Sequence, residues 1–384
     1  MADGGGPGPI ELLPSGTEPR PTILSNHIDV ALVPDSEETI SVIIPNWNGA
    51  HHLKDCLSSL KAQTLGGFET VVVDNGSSDD SVALLERDHA WVRIIQLPEN
   101  SGFSAAVNAG IRATRSDLVV LLNNDTRAEP DWLEKLVGAL RAQPQASFAA
   151  SKMLQYEPPH RIDAAGDRFS LLTGVGWSIG LGEPADTHDQ PGWVFGACAG
   201  AAIYRRNLFD DIGLFDEDFF LVFEDVDLSL RAQIAGHRCL YVPEAIVYHK
   251  RGGSTDNTSM AVAVRTWRNS IWVAGKNLPA LLLTWWLALF ALKLGRLVVR
   301  SVFFRLWFKL RPPRTKAPQT MKARPTSLRK HGVLLDLYWP ALREAMSALP
   351  AKRRQLSSLR RRNSLTLLPV LLRPWRPLRP GDRS

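Results

Sequence analysis

An α/β fold, with a parallel sheet covered by helices on both faces, is predicted by two features of the chain's first half. Apolar runs of strand length alternate with segments of helical period, and a polar cluster follows directly after each run. The 384 residues, 45% apolar and 22% charged, suffice for one large core or two modest ones, which excludes disorder of the whole chain. Cys56, Cys198 and Cys239 are odd in number and far apart, so they form neither a disulfide framework nor a metal cluster, and a reducing compartment is expected.

Residues 1–38 are rich in Gly, Pro and small polar types and read as a flexible leader without a secretory pattern. TISVIIPNWNG holds a buried strand, Ile40–Ile44, stopped by Pro45. Across 52–65, Leu53, Cys56, Leu57 and Leu60 recur at helical spacing. A second strand, Glu69–Val73, runs into DNGSSDDS, where Ser78 or Asp79 can cap a helix over 80–88. Arg93–Leu97 is a third strand, SGFSAAVNAGIRAT another helix, and DLVVLLNND a fourth strand. Residues 148–215 loosen into short glycine-rich elements. FEDVDLSLRAQIAG then opens a helix with Val226, Leu228, Leu230 and Ile234 inward, and HRCLYVPEAIVYHK reads as a strand pair or a strand and turn. The globular domain is expected to span 39–277.

Net charge is +6, but Lys293 onward holds 23 Lys or Arg against Asp336, Glu344 and Asp382, which leaves −14 on the other 292 residues. LPALLLTWWLALFAL, 278–292, has 15 uncharged residues, and the run continues with a basic residue every few positions. A span needs about 20 apolar residues. Pro279 and the arginines at 296, 300 and 305 fit an interfacial or oblique amphipathic helix over 278–310 better than a crossing. The basic tail, 311–384, interleaves arginine with Leu and Trp, a pattern attracted by anionic lipid rather than nucleic acid. Expected is a peripheral or monotopic protein on the cytoplasmic side of the cell's inner membrane.

Ligands of an open parallel sheet bind beyond the carboxyl ends of its strands. PNWNG, VDNGSSDD, LPENSGFS and LLNNDT all fall there, and none carries a dinucleotide fingerprint or a P-loop. Asp74, helped by Asn75 and Ser77, either caps a neighbouring helix or bonds the base or ribose of a nucleotide. Asp125, with Asn123 and Asn124 beside it, offers oxygens at alternate positions, which suits Mg2+ or Mn2+. Glu224, Asp225 and Asp227 cluster at a helix start near Asp216, Glu217 and Asp218, more carboxylates than capping needs. Asp225 is the candidate general base for a hydroxyl acceptor. His249, at an element end, either completes a metal shell or is a plain polar residue.

SVIIPNWNG, VVVDNGSSDDS, GFSAAVNAGI, LLNNDT, FFLVFEDVDLSLR and YHKRGGST, in this order and spacing, resemble the inverting family-2 glycosyltransferases of GT-A fold, in their rhamnosyltransferase-like branch. The resemblance covers about residues 40–255. It implies a Rossmann-like mixed sheet, a nucleotide-sugar donor, and a nucleotide pocket lined by Pro45, Asn46, Trp47, Asn48, Asp74 and Asn75. It implies that Gly102, Phe103 and Asn108 close on the diphosphate and sugar with Asn124 nearby, and that Trp193 and Gly196 lie towards the acceptor. Asn123 and Asp125 match the metal motif, with asparagine where aspartate is common, and His249 matches a metal-binding histidine. Glu224 and Asp225 match the acidic pair whose second member is the base. A dTDP-rhamnose donor and a polyprenyl-diphosphate-linked or cell-envelope glycan acceptor follow from the branch, with UDP- or GDP-sugars as the alternative.

Rival classes lack their marks. A nucleotidyltransferase needs a basic phosphate loop after the first strand, but no Lys or Arg precedes Lys54 in PNWNGAHH. A dead scaffold would lack the acidic pair or the metal motif, and a polymerising synthase would show QxxRW and several spans.

Overall fold

A computed structural model describes residues 38–251, 260–310, 329–355, 364–372 and 375–378. Residues 1–37, residues 252–259, which include Gly252–Thr255 of the last motif, and the tail segments 311–328, 356–363, 373–374 and 379–384 lie outside the described residues, so the expectation for the leader concerns residues not described.

The first half follows the expected alternation: β1 Ile40–Asn46, α1 Ala50–Lys61, β2 Glu69–Asn75, α2 Ser81–Asp88, β3 Arg93–Leu97, α3 Phe103–Ala113 and β4 Leu118–Leu122. β5 Thr126–Ala128, α4 Trp132–Ala142, β6 Phe148–Gln155 and β7 Ile162–Ala165 follow, then β8 Asp167–Ser170, β9 Val175–Ser178, β10 Gly192–Val194, β11 Ala201–Arg205 and α5 Arg206–Ile212. A 3-10 turn at Glu217–Phe219 leads to α6 Glu224–Ala235 and β12 Cys239–His249. α7 Met260–Asn277, α8 Ala280–Leu310, α9 Arg329–Gln355, α10 Ser364–Leu372 and β13 Trp375–Pro377 complete the described chain.

The main sheet runs β13-β10-β12-β6-β11-β4-β1-β2-β3 and is mixed. β4, β1, β2 and β3 are parallel, whereas β11 lies antiparallel between β4 and β6. Successive side chains of a strand face opposite ways. Val42, Ile44, Val72 and Val120 therefore pack on one face with Leu53 and Leu57 of α1 and Leu136 of α4. Ile43, Val71, Val73 and Val119 pack on the other with Val107 of α3 and Leu228 of α6. Burial on both faces is why these strands read as unbroken apolar runs.

Two local outcomes bear on the sequence reading, one agreeing with it and one not. The second helix starts at Ser81 and is capped, as expected, by the Asp79 side chain. Asp79 accepts from Ser81 N through Oδ1 and also from Ala50 N through Oδ2, joining the starts of α2 and α1. β12 is one strand of 11 residues with a register shift between Val242 and Ile246, not a pair. Pro243, which has no N–H for the ladder, falls within that bulge.

Packing also continues past Asn277. Leu278, Leu282 and Trp286 join Phe219, Val226, Leu230, Ala345, Leu349, Leu367 and Leu371 in a third cluster. β13 pairs with β10 at the edge of the main sheet. The composition shift at 277 therefore marks a change of surface chemistry within a continuously packed body. Ala280–Arg300, with mean hydropathy 1.7, is long and apolar enough to cross a membrane, and 12% of it is buried. α8 leaves Leu281, Trp285, Leu292 and Phe303 exposed.

Candidate active site

The polar residues after β1, β2 and β4 meet at one end of the sheet. Asn124 Nδ2 donates to Asn46 Oδ1 at 2.7 Å, and Asn46 Nδ2 donates to Asp74 Oδ1 at 3.0 Å. Asp74 Oδ2 accepts from Ser77 N, and Ser77 Oγ accepts from Asn48 N. Gly49 allows this crowding, because a Cβ there would run into Asn124 and Asn46. Both oxygens of Asp74 thus organise the loop, while Trp47 stays exposed beside partly exposed Pro45. Asn75 Nδ2 donates to Asn100 Oδ1 and Gly102 O, carrying the network to the turn before α3.

Gly102 has φ +89 and sits against Phe220, whose carbonyl accepts from Phe103 N at 2.6 Å. Asn108, expected at the diphosphate, is committed elsewhere. Its amide donates to Phe215 O and Glu217 Oε1 and accepts from Phe215 N, so it pins α3 to the loop before α6. Trp193, expected towards the acceptor, lies in the first core cluster with Leu240 and Val242, with the Arg238 guanidinium 3.7 Å from its ring centroid. Pairing of β10 with β12 turns it into the core. Gly196 lies against Ser229, so its lack of a side chain lets α6 approach the sheet closely.

Asp125 and His249, which the family resemblance assigns to one metal site, come together. His249 Nε2 is 3.2 Å from Asp125 Oδ1, and Nδ1 is 2.7 Å from Asp163 Oδ2. β12 pairing with β5 and β6 places the histidine there. Burial alone would lower the imidazole pKa, but the bonds to Asp125 and Asp163 outweigh it and carry it up to about 9. One carboxylate and one imidazole, the latter oriented by a second carboxylate, fit a divalent cation that takes its remaining ligands from a diphosphate and water. Among the described residues no group of three or more His, Cys, Asp or Glu is arranged to hold a metal ion by itself, so an ion here would depend on Asp125 and His249 together with the diphosphate and water. Asn123 bonds Gly200 O through its backbone N–H, with its side chain close over Gly200.

Glu224 and Asp225 occupy the first turn of α6 and, with Asp167, Trp177, Cys198 and Thr266, line a cavity of about 300 Å³. The segment Cys198–Gly200 joins the two halves of the site: Gly200 O takes the Asn123 N–H, and Ala199 N lies 3.4 Å from Asp225 Oδ2 as donor. Burial raises the Asp225 pKa, and bonds from Val226 N and Ala199 N partly restrain the rise. Glu224 is pushed to about 8, by burial first and by the Asp225 charge second, and its Oε2 has no hydrogen-bond partner. Burial and Asp225 likewise raise Asp167 well above the carboxylate range. Burial thus raises both neighbouring carboxylates; Asp225 alone of the two accepts from two backbone N–H groups, which favours its ionised form, and its charge adds to the rise at Glu224. Asp227, in contrast, is structural. Burial opposes its charge, but Lys276 and Arg231 prevail and hold it at about 2.

Sequence reasoning missed Asp163 and Asp167, which lie in the glycine-rich stretch. Their only signal is a pair of aspartates flanking a small-residue run, DAAGD.

The raised Glu224 pKa has a consequence for stability. Below pH 4.5, its ordinary value, folded and unfolded chains both hold this proton; between 4.5 and about 8 only the folded chain keeps it. The unfolded state then binds fewer protons, so this group's contribution to stability falls with pH across that window and levels off above it. Glu224→Gln is expected to flatten the pH dependence of the thermal midpoint between pH 5 and 8, measured by calorimetry, with the greatest gain over the parent at the alkaline end.

Residues 41–213 match the family model described as Glycosyl transferase family 2. N-acetylglucosaminyl-diphospho-decaprenol L-rhamnosyltransferase of Mycobacterium tuberculosis is 27% identical over 244 residues, covering 57% of this chain and 78% of that protein. Pre-mycofactocin glycosyltransferase of the same species is 31% identical over 239 residues, covering 60% of this chain and 44% of that one. An uncharacterized protein of Sinorhizobium fredii is 29% identical over 231 residues, 56% of this chain but 25% of that protein. The crystal structure of GalNAc-T7 with UDP, GalNAc and Mn2+ superposes with a TM-score of 0.51 at 17% identity, covering 62% of this chain and 48% of that one, a likeness of fold. Residues 41–213 are thus similar to the family 2 glycosyltransferases, and the sheet and helices share the GT-A arrangement.

Proposed function

We propose that this chain is a family 2 glycosyltransferase that transfers one sugar from a nucleotide donor to an acceptor hydroxyl with inversion at the anomeric carbon. The observation that carries the reading is the acidic cavity at the start of α6, where Asp225, Glu224 and Asp167 line one wall and Asp225 accepts from Val226 N and Ala199 N. The donor's nucleotide lies across the ends of β1 and β2, near Trp47 and the Asn46–Asp74 network. The acceptor hydroxyl enters the cavity and attacks the anomeric carbon. A C–O bond forms, the bond from that carbon to the diphosphate oxygen breaks, and Asp225 takes the hydroxyl proton. Glu224, neutral near pH 7, keeps a second negative charge away from the base. A divalent cation held by Asp125 and His249 would supply neutralisation of the departing nucleoside diphosphate.

A dTDP-rhamnose donor and a lipid-linked or cell-envelope acceptor are the favoured substrates, because the Mycobacterium tuberculosis relative named for L-rhamnosyl transfer onto a decaprenol-linked sugar is matched over most of its length. UDP- and GDP-sugars are the alternative. The test is turnover by the full chain across dTDP-, UDP- and GDP-sugars, with Mn2+, Mg2+ or chelator, and with a detergent-dispersed polyprenyl-diphosphate-linked acceptor. One donor consumed with metal names the sugar; no donor consumed in any combination overturns the reading.

The exposed apolar face of α8 and the 23 basic residues from Lys293 onward support peripheral binding to the cytoplasmic, anionic face of a bilayer. Each basic residue near such a surface contributes about 1 kcal/mol. Cosedimentation with phosphatidylglycerol vesicles, weak with phosphatidylcholine and reduced in Leu281→Ser/Trp285→Ser, is the expected result. Equal binding to both lipids, or none, contradicts it.

A further inference from the structure

The backbone between the 3-10 turn and α6 is strained. Phe220, Val222 and Phe223 have φ of 65°, 65° and 69°, in the left-handed region that a β-branched or bulky residue avoids. Such residues cost about 1–3 kcal/mol each and persist only where the surroundings hold them. Glu224 and Asp225 follow directly, so the form of this loop determines where the acid pair points.

What holds the loop comes from beyond the family 2 match. Asn269 of α7, fully buried, directs Nδ2 at three carbonyls: Phe219 O at 3.1 Å, Leu221 O at 3.0 Å and Val222 O at 2.8 Å. Arg268 donates to Asp218 O and Phe219 O. Lys352 of α9, also buried, reaches both oxygens of Asp216 at 3.0 and 2.9 Å and Asp218 Oδ2 at 2.7 Å. Lys276 bridges Asp216 and Asp227. On the loop's opposite side Phe220 O takes the Phe103 N–H at the start of α3. A single segment therefore joins the donor-side turn to the acid pair, and two C-terminal helices clamp it.

We propose that Asn269 and Lys352 are positioning residues for the transfer reaction, holding residues 216–223 in the conformation, left-handed at Phe220, Val222 and Phe223, that aims Asp225 into the cavity. The inference rests on Asp225 being the base. Asn269 suits the task because it brings two neutral N–H donors to a cluster of carbonyls; aspartate in its place would face them with no donor and leave buried oxygens unpaired. Lys352 acts at the loop's other end by neutralising Asp216 and Asp218.

The test uses the full chain with Asn269→Asp, Lys352→Met and Lys352→Arg. Turnover is expected to fall about 100-fold in Asn269→Asp and Lys352→Met, the loss that misplacement by about 1 Å can cause. KM for the donor and calorimetric affinity for the nucleoside diphosphate stay near the parent values, because the Asn46–Asp74 network is untouched. Lys352→Arg recovers most of the turnover. Amide exchange of the peptide 214–226 quickens in the two impaired variants while the peptides of β1, β2 and β4 stay protected. Unchanged exchange in 214–226 overturns the proposal. So does faster exchange throughout the domain with nucleotide affinity lost in parallel, which would mean an ordinary folding role. If the parent chain transfers no sugar, the failure belongs to the functional reading, and exchange alone then decides whether these residues hold the loop.

Discussion

Asp225→Asn is expected to lower transfer about 1,000-fold, within the range that loss of a general base produces, while nucleoside diphosphate affinity is retained. The carboxylate faces the cavity, and its bonds from Val226 N and Ala199 N favour its ionised form, whereas Glu224 holds its proton to about 8. Asparagine keeps the size of the side chain but cannot take the acceptor proton. The Asp225 charge also contributes to the raised Glu224 pKa, so the same substitution should move the Glu224 titration towards lower pH. Steady-state turnover and calorimetric nucleotide binding on the same preparations check the first result. Full activity in Asp225→Asn would remove it as the base.

Asp125→Ala is expected to abolish the Mn2+-dependent part of nucleoside diphosphate binding, a loss of about 100-fold or more, and His249→Ala to lose about 10- to 100-fold. The two side chains stand 3.2 Å apart, and Asp163 orients the imidazole, so removing either leaves one protein ligand for the ion. Titration calorimetry with and without Mn2+ reads both effects. Affinity in the parent chain that is equal in Mn2+ and in chelator would contradict the assignment.

How far the sequence reaches is clearest from particular residues. The strands before Asn46, Asp74 and Asn123 are legible because both sheet faces are buried, which forces the apolar runs. The acid pair is legible because carboxylates crowd the first turn of an otherwise apolar helix. His249 shows as a lone histidine, and its meeting with Asp125 depends on strand pairing that no local pattern reveals. Asn108 and Trp193 illustrate the converse. Their residue types suit a ligand pocket, but tertiary contacts commit one to the Phe215 backbone and the other to the core. Asp167 escapes detection because short strands at glycine-rich turns carry no periodicity. Asn269 and Lys352 reach the site from about 50 and 130 residues beyond the loop, on helices whose composition suggests another role.

The anomeric configuration of the first transferred sugar, read by NMR against that of its donor in a single turnover, tests the central claim most directly. A lone base at the cavity and direct displacement predict the inverted product with no covalent sugar on the protein. A retained configuration, or a glycosylated carboxylate trapped in the digest, would contradict the account.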